Sequence, residues 1–257
     1  MAAARQADTS LAAALKYAGA GESVLPLWWT IADGKCACGR GDCKPGKHPL
    51  TERGFYDATT DPEVIRAWWA RWPRANLGVR TNLRPTVDID LAVVASALAA
   101  DASLAHSTRV VSTPHDGLHI VFATSKPTSS RVLYLKDGRR LGELKADEAY
   151  VIVPLSKIGR REYKLLSPPD TPLLNADPIE WLAKALPEYG FELDLTRATG
   201  KRDYEALAGI IYEGEGRHLA LASYAGRVWI EGLGPDTFTA FARHDQSGPV
   251  PAAPDRR

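Results

Sequence analysis

Cysteine is scarce: three in 257 residues, all between positions 36 and 43. A disulfide framework spreads its cysteines along the chain, so this clustering argues against one and for a local metal site, with free thiols or a redox pair as the alternatives. Surplus charge is also missing. The 32 Lys and Arg stand against 31 Asp and Glu, a net charge of +1. No global basic field advertises nucleic acid, and any such surface must be a local patch. There is no apolar run long enough to span a bilayer and no secretory signal. Met1 to Leu15 is Ala-rich with scattered charges and reads as a frayed entry into a helix, so a cytoplasmic protein without a membrane partner is expected. No Gly-x-x-x-x-Gly-Lys-Ser/Thr loop occurs, which excludes a helicase motor of that type from this sequence. No internal repeat is visible.

What is present suffices for a folded protein. Hydrophobic residues make up 45% and charged residues 25%, ordinary for a globular chain with a sizeable core. Leu11 to Ala20 reads as a helix and Ser23 to Ile31 as a strand. The following loop, Ala32 to Gly54, is rich in Gly, Cys, Lys and Pro. Asp61-Pro62 opens a helix, with Asp as N-cap and Pro at the first helical position. Val64, Ile65, Trp68, Trp69 and Trp72 form one apolar stripe, which Pro73 ends. The tryptophans are read as core, in preference to a base-stacking platform.

Strands are expected at 76–81, 86–91, 108–113, 118–124, 131–135, 139–145 and 149–153, with an Ala-rich helix near 92–100. Asp116-Gly117 and Asp137-Gly138 are hairpin signals. The class is α+β. A Pro-rich crossing at 167–172 and a helix from Asp177-Pro178 to Leu186 close a domain over 1–190. Beyond it a linker is expected at 191–202, a small helical segment at 203–245 and a disordered tail at 246–257.

Three of these strands carry acids or a histidine among apolar residues. In Val87-Asp88-Ile89-Asp90-Leu91 the period of two puts Asp88 and Asp90 on one face and the aliphatic residues on the other. Two adjacent carboxylates repel, and a divalent cation between them removes that cost. Glu143, on the face opposite Leu144, offers a third carboxylate, and His119 lies between Leu118 and Ile120. Three convergent carboxylates suit nucleotidyl transfer by two metal ions. The plainer readings are a solvent-facing strand surface for the aspartates, a pair with Lys145 or Arg140 for Glu143, and a structural histidine. Ser156, after Pro154-Leu155, could be a turn residue.

Cys36, Cys38, Cys43 and His48 form a second constellation. Three thiolates and an imidazole complete a tetrahedral zinc shell, and the glycines and proline between them let a short loop, 35–49, wrap an ion. Lys35, Arg40, Lys44 and Lys47 make this the most basic short stretch of the chain, a solvated loop or a template-contacting knob.

The joint order of short elements resembles a known family. They are Cys36-x-Cys38…Cys43…Gly46-Lys47-His48-Pro49; Gly54 and Ala58-Thr59-Thr60-Asp61; Ala67-Trp68-Trp69…Pro73; Asn76-Leu77-Gly78-Val79; Val87 to Asp90; Gly117-Leu118-His119; Gly142-Glu143-Leu144; and Ala149 to Ser156. Over roughly residues 10–185 the chain resembles the bifunctional DNA primase/polymerase domain of the archaeo-eukaryotic primase superfamily, as in phage and plasmid replication proteins. The resemblance implies an RRM-like sheet with flanking helices. Asp88, Asp90 and Glu143 would be the catalytic ligands of two Mg²⁺ or Mn²⁺ ions, with Glu143 standing where Asp is common. His119 would contact the nucleotide's phosphates, with Lys145 and Ser156 as helpers, and one structural Zn²⁺ would sit on the Cys/His loop. Implied partners are a single-stranded DNA template, NTPs or dNTPs, and a helicase domain or protein. A phage- or plasmid-encoded chain would work in the cytoplasm of a bacterial host. Residues 204–242 look similar to the small helical segment that often follows this domain. The sequence departs from the family pattern at Asp116, where Gly is common, and at Leu155, where Pro is common. The competing functions are a metal-dependent nuclease and a non-catalytic, zinc-bearing DNA-binding module.

Overall fold

A computed structural model describes residues 2–31, 34–124 and 128–198. The chain divides after Gly200 into two units, and the described residues all belong to the first. The expected helical segment at 203–245, the tail at 246–257 and the end of the expected linker lie outside the described residues.

The chain begins with α1 (Ala2–Gly19), β1 (Val24–Leu27), α2 (Pro62–Arg71) and β2 (Asn76–Arg80). Next come β3 (Thr86–Ile89), α3 (Ala92–Ala99), α4 (Ala102–Ser107), β4 (Val110–Ser112) and β5 (Leu118–Ala123). β6 (Arg131–Tyr134), β7 (Arg140–Lys145) and β8 (Tyr150–Ile152) follow. Four two-residue strands then lead to the last helices: β9 (Lys157–Ile158), β10 (Arg161–Glu162), β11 (Lys164–Leu165) and β12 (Leu174–Asn175). These helices are α5 (Pro178–Ala185) and α6 (Leu195–Ala198). The class is α+β, as the sequence indicates.

Two sheets organise the unit. The smaller has the order β1-β2-β8, all antiparallel. α1 and α2 cover one of its faces, burying Ala14, Ile65, Trp69, Leu77 and Val79 together. α2 starts as read: the Asp61 carboxylate accepts from the Glu63 N–H, and Pro62 stands in the first turn. Its apolar stripe is narrower than expected. Ile65 and Trp69 are buried, Trp68 and Trp72 are half-buried against the same core, and Val64 faces solvent. The other face of this sheet, through Leu25, Leu27 and Ile152, packs on Val111 of β4 and on Tyr163.

The larger sheet has the order β11-β4-β5-β3-β7-β6, with β12 added parallel to β5. One face is the main core. Val87, Ile89, Ile120, Phe122 and Leu144 point into it, against Val94 and Leu98 of α3 and Leu182 of α5. An ion pair ties the smaller sheet's helical layer to β4. Glu22, 3% exposed, accepts from both terminal nitrogens of Arg109 at 2.9 Å.

Both expected hairpins form, but with three-residue loops. Thr113 N–H donates to Gly117 O at 2.9 Å, and Asp116, not Gly117, takes the left-handed conformation at φ 61°. Leu135 N–H donates to Arg139 O at 2.9 Å, with Gly138 at φ 87°. Each loop ends on a left-handed residue, a role for Gly or, less commonly, Asp. Asp116 therefore fills a glycine-like position. Leu155 stands at φ 75°, which a proline locked near −65° could not adopt, so the turn before Ser156 differs from a Pro-Pro turn.

Other boundaries differ from expectation. The first helix starts earlier, at Ala2, and the first strand stops at Leu27. A separate helix, α4, follows the Asp101 cap. The segment expected as a linker is packed where described: Leu193 is buried, bridges Leu135, and Lys136 N–H donates to Glu192 O.

Candidate active site

β3 is central, with β5 on one side and β7 on the other. The register sets Asp88 opposite His119 and opposite Glu143. The three side chains thus form one row across three strands, on the face away from the main core. His119 Nε2 lies 3.3 Å from Asp88 Oδ1, and His119 is 5% exposed. Asp90 stands one step along, just past the end of β3, and is exposed.

Two glycines allow the strands to approach. A Cβ on Gly142 would lie 1.9 Å from the Asp88 carbonyl oxygen, and one on Gly117 would lie 2.5 Å from that of Ile89. Gly142 is also part of a bulge. Leu133 of β6 pairs with Gly142, but the next residue, Tyr134, pairs with Arg140 and skips Leu141. Strict alternation would put Arg140 and Glu143, three apart, on opposite faces. With the bulge, Leu141 turns into the core and Arg140 shares a face with Glu143.

Arg140 consequently bridges two carboxylates, reaching Asp90 at 2.5 Å and Glu143 at 2.6 Å. Lys145 pairs with the second oxygen of Glu143. Burial works to raise the Glu143 carboxyl, but Lys145 and Arg140 outweigh it and hold the group below the usual carboxylate range. The same balance applies to Asp88. Burial raises it, and His119, Lys145 and Lys47 bring it below its ordinary value. Both carboxyls are ionised at neutral pH. Tyr163, whose ring centroid lies 5.7 Å from that of His119, has its phenol pushed up by burial and by Asp88 and Asp90, and stays protonated.

The second constellation closes as expected. The ligand atoms of Cys36, Cys38, Cys43 and His48 all lie within 4.8 Å of one another. Among the described residues this is the one set of three or more His, Cys, Asp or Glu meeting that spacing. Cys36 Sγ is 3.3 Å from His48 Nε2, and Cys38 and Cys43 sulfurs are 3.4 Å apart. That is too long for a disulfide and near the roughly 3.3–3.8 Å between ligand atoms of a tetrahedral zinc site. Burial lowers His48, favouring the neutral imidazole that ligates. The cluster could bind zinc. The loop returns to its stem through Trp28 N–H to His48 O and Ala37 N–H to Trp29 O, both 2.9 Å.

One cavity of about 880 Å³ joins the two constellations. Asp88, Asp90, His119, Arg140, Glu143 and Lys145 line one side, and Cys43, Lys44, Pro45 and Lys47 of the Cys/His loop line another. Phe55, Tyr150 and Tyr163 add aromatic surface. Of the site residues expected from sequence, Ser156 is not brought here. It is 1% exposed, and its hydroxyl accepts from Leu77 N–H at 2.9 Å, clipping the turn after β8 to β2. Sequence reasoning offered Arg140 and Lys145 as partners of Glu143, and both pairs form, but it did not place Arg140 among the site residues, since period two puts positions 140 and 143 on opposite faces. It missed Tyr163 because the short strands around it carry no periodic signal. Gly142 and Gly117, each next to a site strand residue, were the available clue.

Charged groups of both signs line one cavity on a sheet backed by helices. The chain belongs to the bifunctional DNA primase/polymerase family: the model of that family's N-terminal domain matches residues 14–184, more than half of the sequence. Membership supports DNA primase/polymerase activity, with a DNA template and nucleotides as substrates. No curated protein matches the chain. Among the described residues no helix is long and apolar enough to cross a membrane.

Proposed function

We propose that this chain performs template-directed nucleotidyl transfer with two divalent cations, Mg²⁺ or Mn²⁺, on single-stranded DNA, making primers and extending them in phage or plasmid replication. The observation that carries the proposal is the row of Asp88, His119 and Glu143 with Asp90 one step beyond. The chemistry of the donor set fits such ions, while among the described residues the three carboxylates are paired with His119, Arg140 and Lys145 and do not meet the close spacing of the Cys/His cluster. Every ligand is a hard carboxylate oxygen, and the Arg140 guanidinium already spans Asp90 and Glu143 as a positive stand-in. Bound there, the cations supply charge neutralisation for the triphosphate and a lower pKa for the attacking 3′-hydroxyl.

The protein's own groups prepare that chemistry. His119 orients Asp88 through Nε2 and helps keep it ionised; we also assign it a contact with the incoming nucleotide's phosphates. Lys145 orients Glu143. Tyr163, protonated beside His119, is a further donor facing the cavity. In priming, the hydroxyl belongs to a second nucleotide instead of a primer end. The near-neutral net charge favours a weak intrinsic grip on DNA and hence tethering by a helicase partner.

The test is extension on single-stranded DNA, with and without primer, supplying rNTPs or dNTPs and Mg²⁺ or Mn²⁺. Triphosphate-dependent product growth is expected. Template degradation without such growth would replace this reading with the nuclease.

We further propose a structural zinc on Cys36, Cys38, Cys43 and His48. Elemental analysis of the purified chain is expected to give about one zinc per molecule. Cys38→Ser should bring it well below one and lower the melting temperature; unchanged zinc content in that variant would remove the assignment.

A further inference from the structure

The basic residues of the Cys/His loop do not share one environment. Lys44 and Lys47 line the catalytic cavity, whereas Lys35 and Arg40 are not among its lining residues. The other two strongly basic groups of the cavity, Arg140 and Lys145, are already paired with Asp90 and Glu143. Among the described residues, Lys44 and Lys47 make no ion pair. They are two ammonium groups without an ion pair on a cavity whose lining also carries four carboxylates, Asp88, Asp90, Glu143 and Glu148.

The turn that carries them is fixed at several points. The buried Asn76 donates its side-chain N–H to Gly46 O at 2.9 Å, and the Tyr150 hydroxyl donates to Lys47 O at 2.8 Å. Gly46 takes φ 70°, and a Cβ there would lie 2.8 Å from Ile158 Cδ1 and 3.0 Å from Thr30 Cγ2. Cys43 and His48, at the two ends, belong to the ligand cluster.

We propose that Lys47, with Lys44 beside it, binds the polyphosphate of the nucleotide, and that the Cys/His cluster holds this lysine-bearing turn against the cavity. The inference rests on the nucleotidyl-transfer reading and deepens it. A cavity with cation-binding carboxylates on one side and unpaired lysines on the other fits a compact anion of several charges that itself carries divalent cations. A DNA backbone has one charge per nucleotide and calls for a basic track leading out of the cavity. The size, about 880 Å³, is in the range of small-molecule sites.

The experiment measures binding of α,β-non-hydrolysable ATP and dATP analogues with Mg²⁺ by calorimetry, alongside binding of a single-stranded oligonucleotide, on the whole chain. Lys47→Ala is expected to weaken the triphosphate analogue about tenfold or more, with oligonucleotide affinity, zinc content and melting temperature held. Lys47→Arg should recover part of the loss. Unchanged nucleotide affinity in Lys47→Ala, against measurable wild-type binding, would overturn the assignment, as would a selective loss of oligonucleotide binding. Absence of triphosphate binding by the wild-type chain would instead overturn the nucleotidyl-transfer reading on which the assignment rests.

Discussion

Asp88→Asn is expected to leave the protein folded and to reduce nucleotide transfer by about 10³-fold or more. The substitution keeps the shape and removes the charge. Val87 and Ile89, on either side, stay in the main core, so the strand has no reason to leave the sheet. Chemistry is affected differently. Asp88 is the hub of the row, facing His119 on one neighbouring strand and Glu143 on the other. On the proposed mechanism the substitution replaces an anionic cation ligand with a weaker neutral amide oxygen and removes the charge partner of His119. Several kcal/mol of transition-state stabilisation depend on such charge, at about 1.4 kcal/mol per factor of ten. Primer extension measures the loss, and circular dichroism with a thermal melt checks the fold. Activity within about tenfold of wild type would remove Asp88 from the machinery.

Gly142→Ala should act in the opposite order, on the fold first. The added methyl would sit 1.9 Å from the Asp88 carbonyl oxygen and 2.9 Å from Ile89 Cα. Both atoms are backbone, so no side chain can swing away, and β3 and β7 must part. A loss of about 3 kcal/mol or more is expected, at the upper end for an overpacked interior. In a domain of this size that lowers the melting temperature by roughly 6 °C or more. A melt within 1 °C of wild type would show that the ladder yields without cost. The two variants together separate a protein that folds and does not react from one that fails to fold.

The parts of the site legible in the sequence were those governed by a regular period or a local rule. Alternation in Val87 to Asp90 put the acids on one face and the aliphatics on the other, and the structure does the same. Asp61-Pro62 announced a helix start because an N-cap needs one side chain and its next two residues. What stayed hidden depended on breaks in period or on distant partners. The bulge at Leu141 moves Arg140 onto the site face, and no property of Arg140 itself signals that. Ser156 closes the Ala149-to-Ser156 element yet serves the Leu77 backbone, a partner 79 residues away. The strands β9 to β12 have two residues each, too few to display alternation. Residues 191–198 read as a linker because they show no helical or strand period, yet Leu193 is buried and anchors them at Leu135, with Phe191 packed against the same core. The Cys/His loop was legible as a cluster of metal ligands. Its place on the cavity was not, since that depends on the turn carrying Lys44 and Lys47 being held by Asn76 and Tyr150.

Every carboxylate of the row has a counterpart of opposite or switchable charge on the protein: His119 for Asp88, Arg140 for Asp90, and Arg140 with Lys145 for Glu143. On the proposed two-cation reading the site would act as an ion exchanger. Cations from solution compete with side chains already in place, so their net affinity is the difference between two favourable arrangements. Such competition would lower the affinity for cations and ease their release after a turnover. Such a site idles without collapsing, and readiness to exchange takes precedence over tight retention.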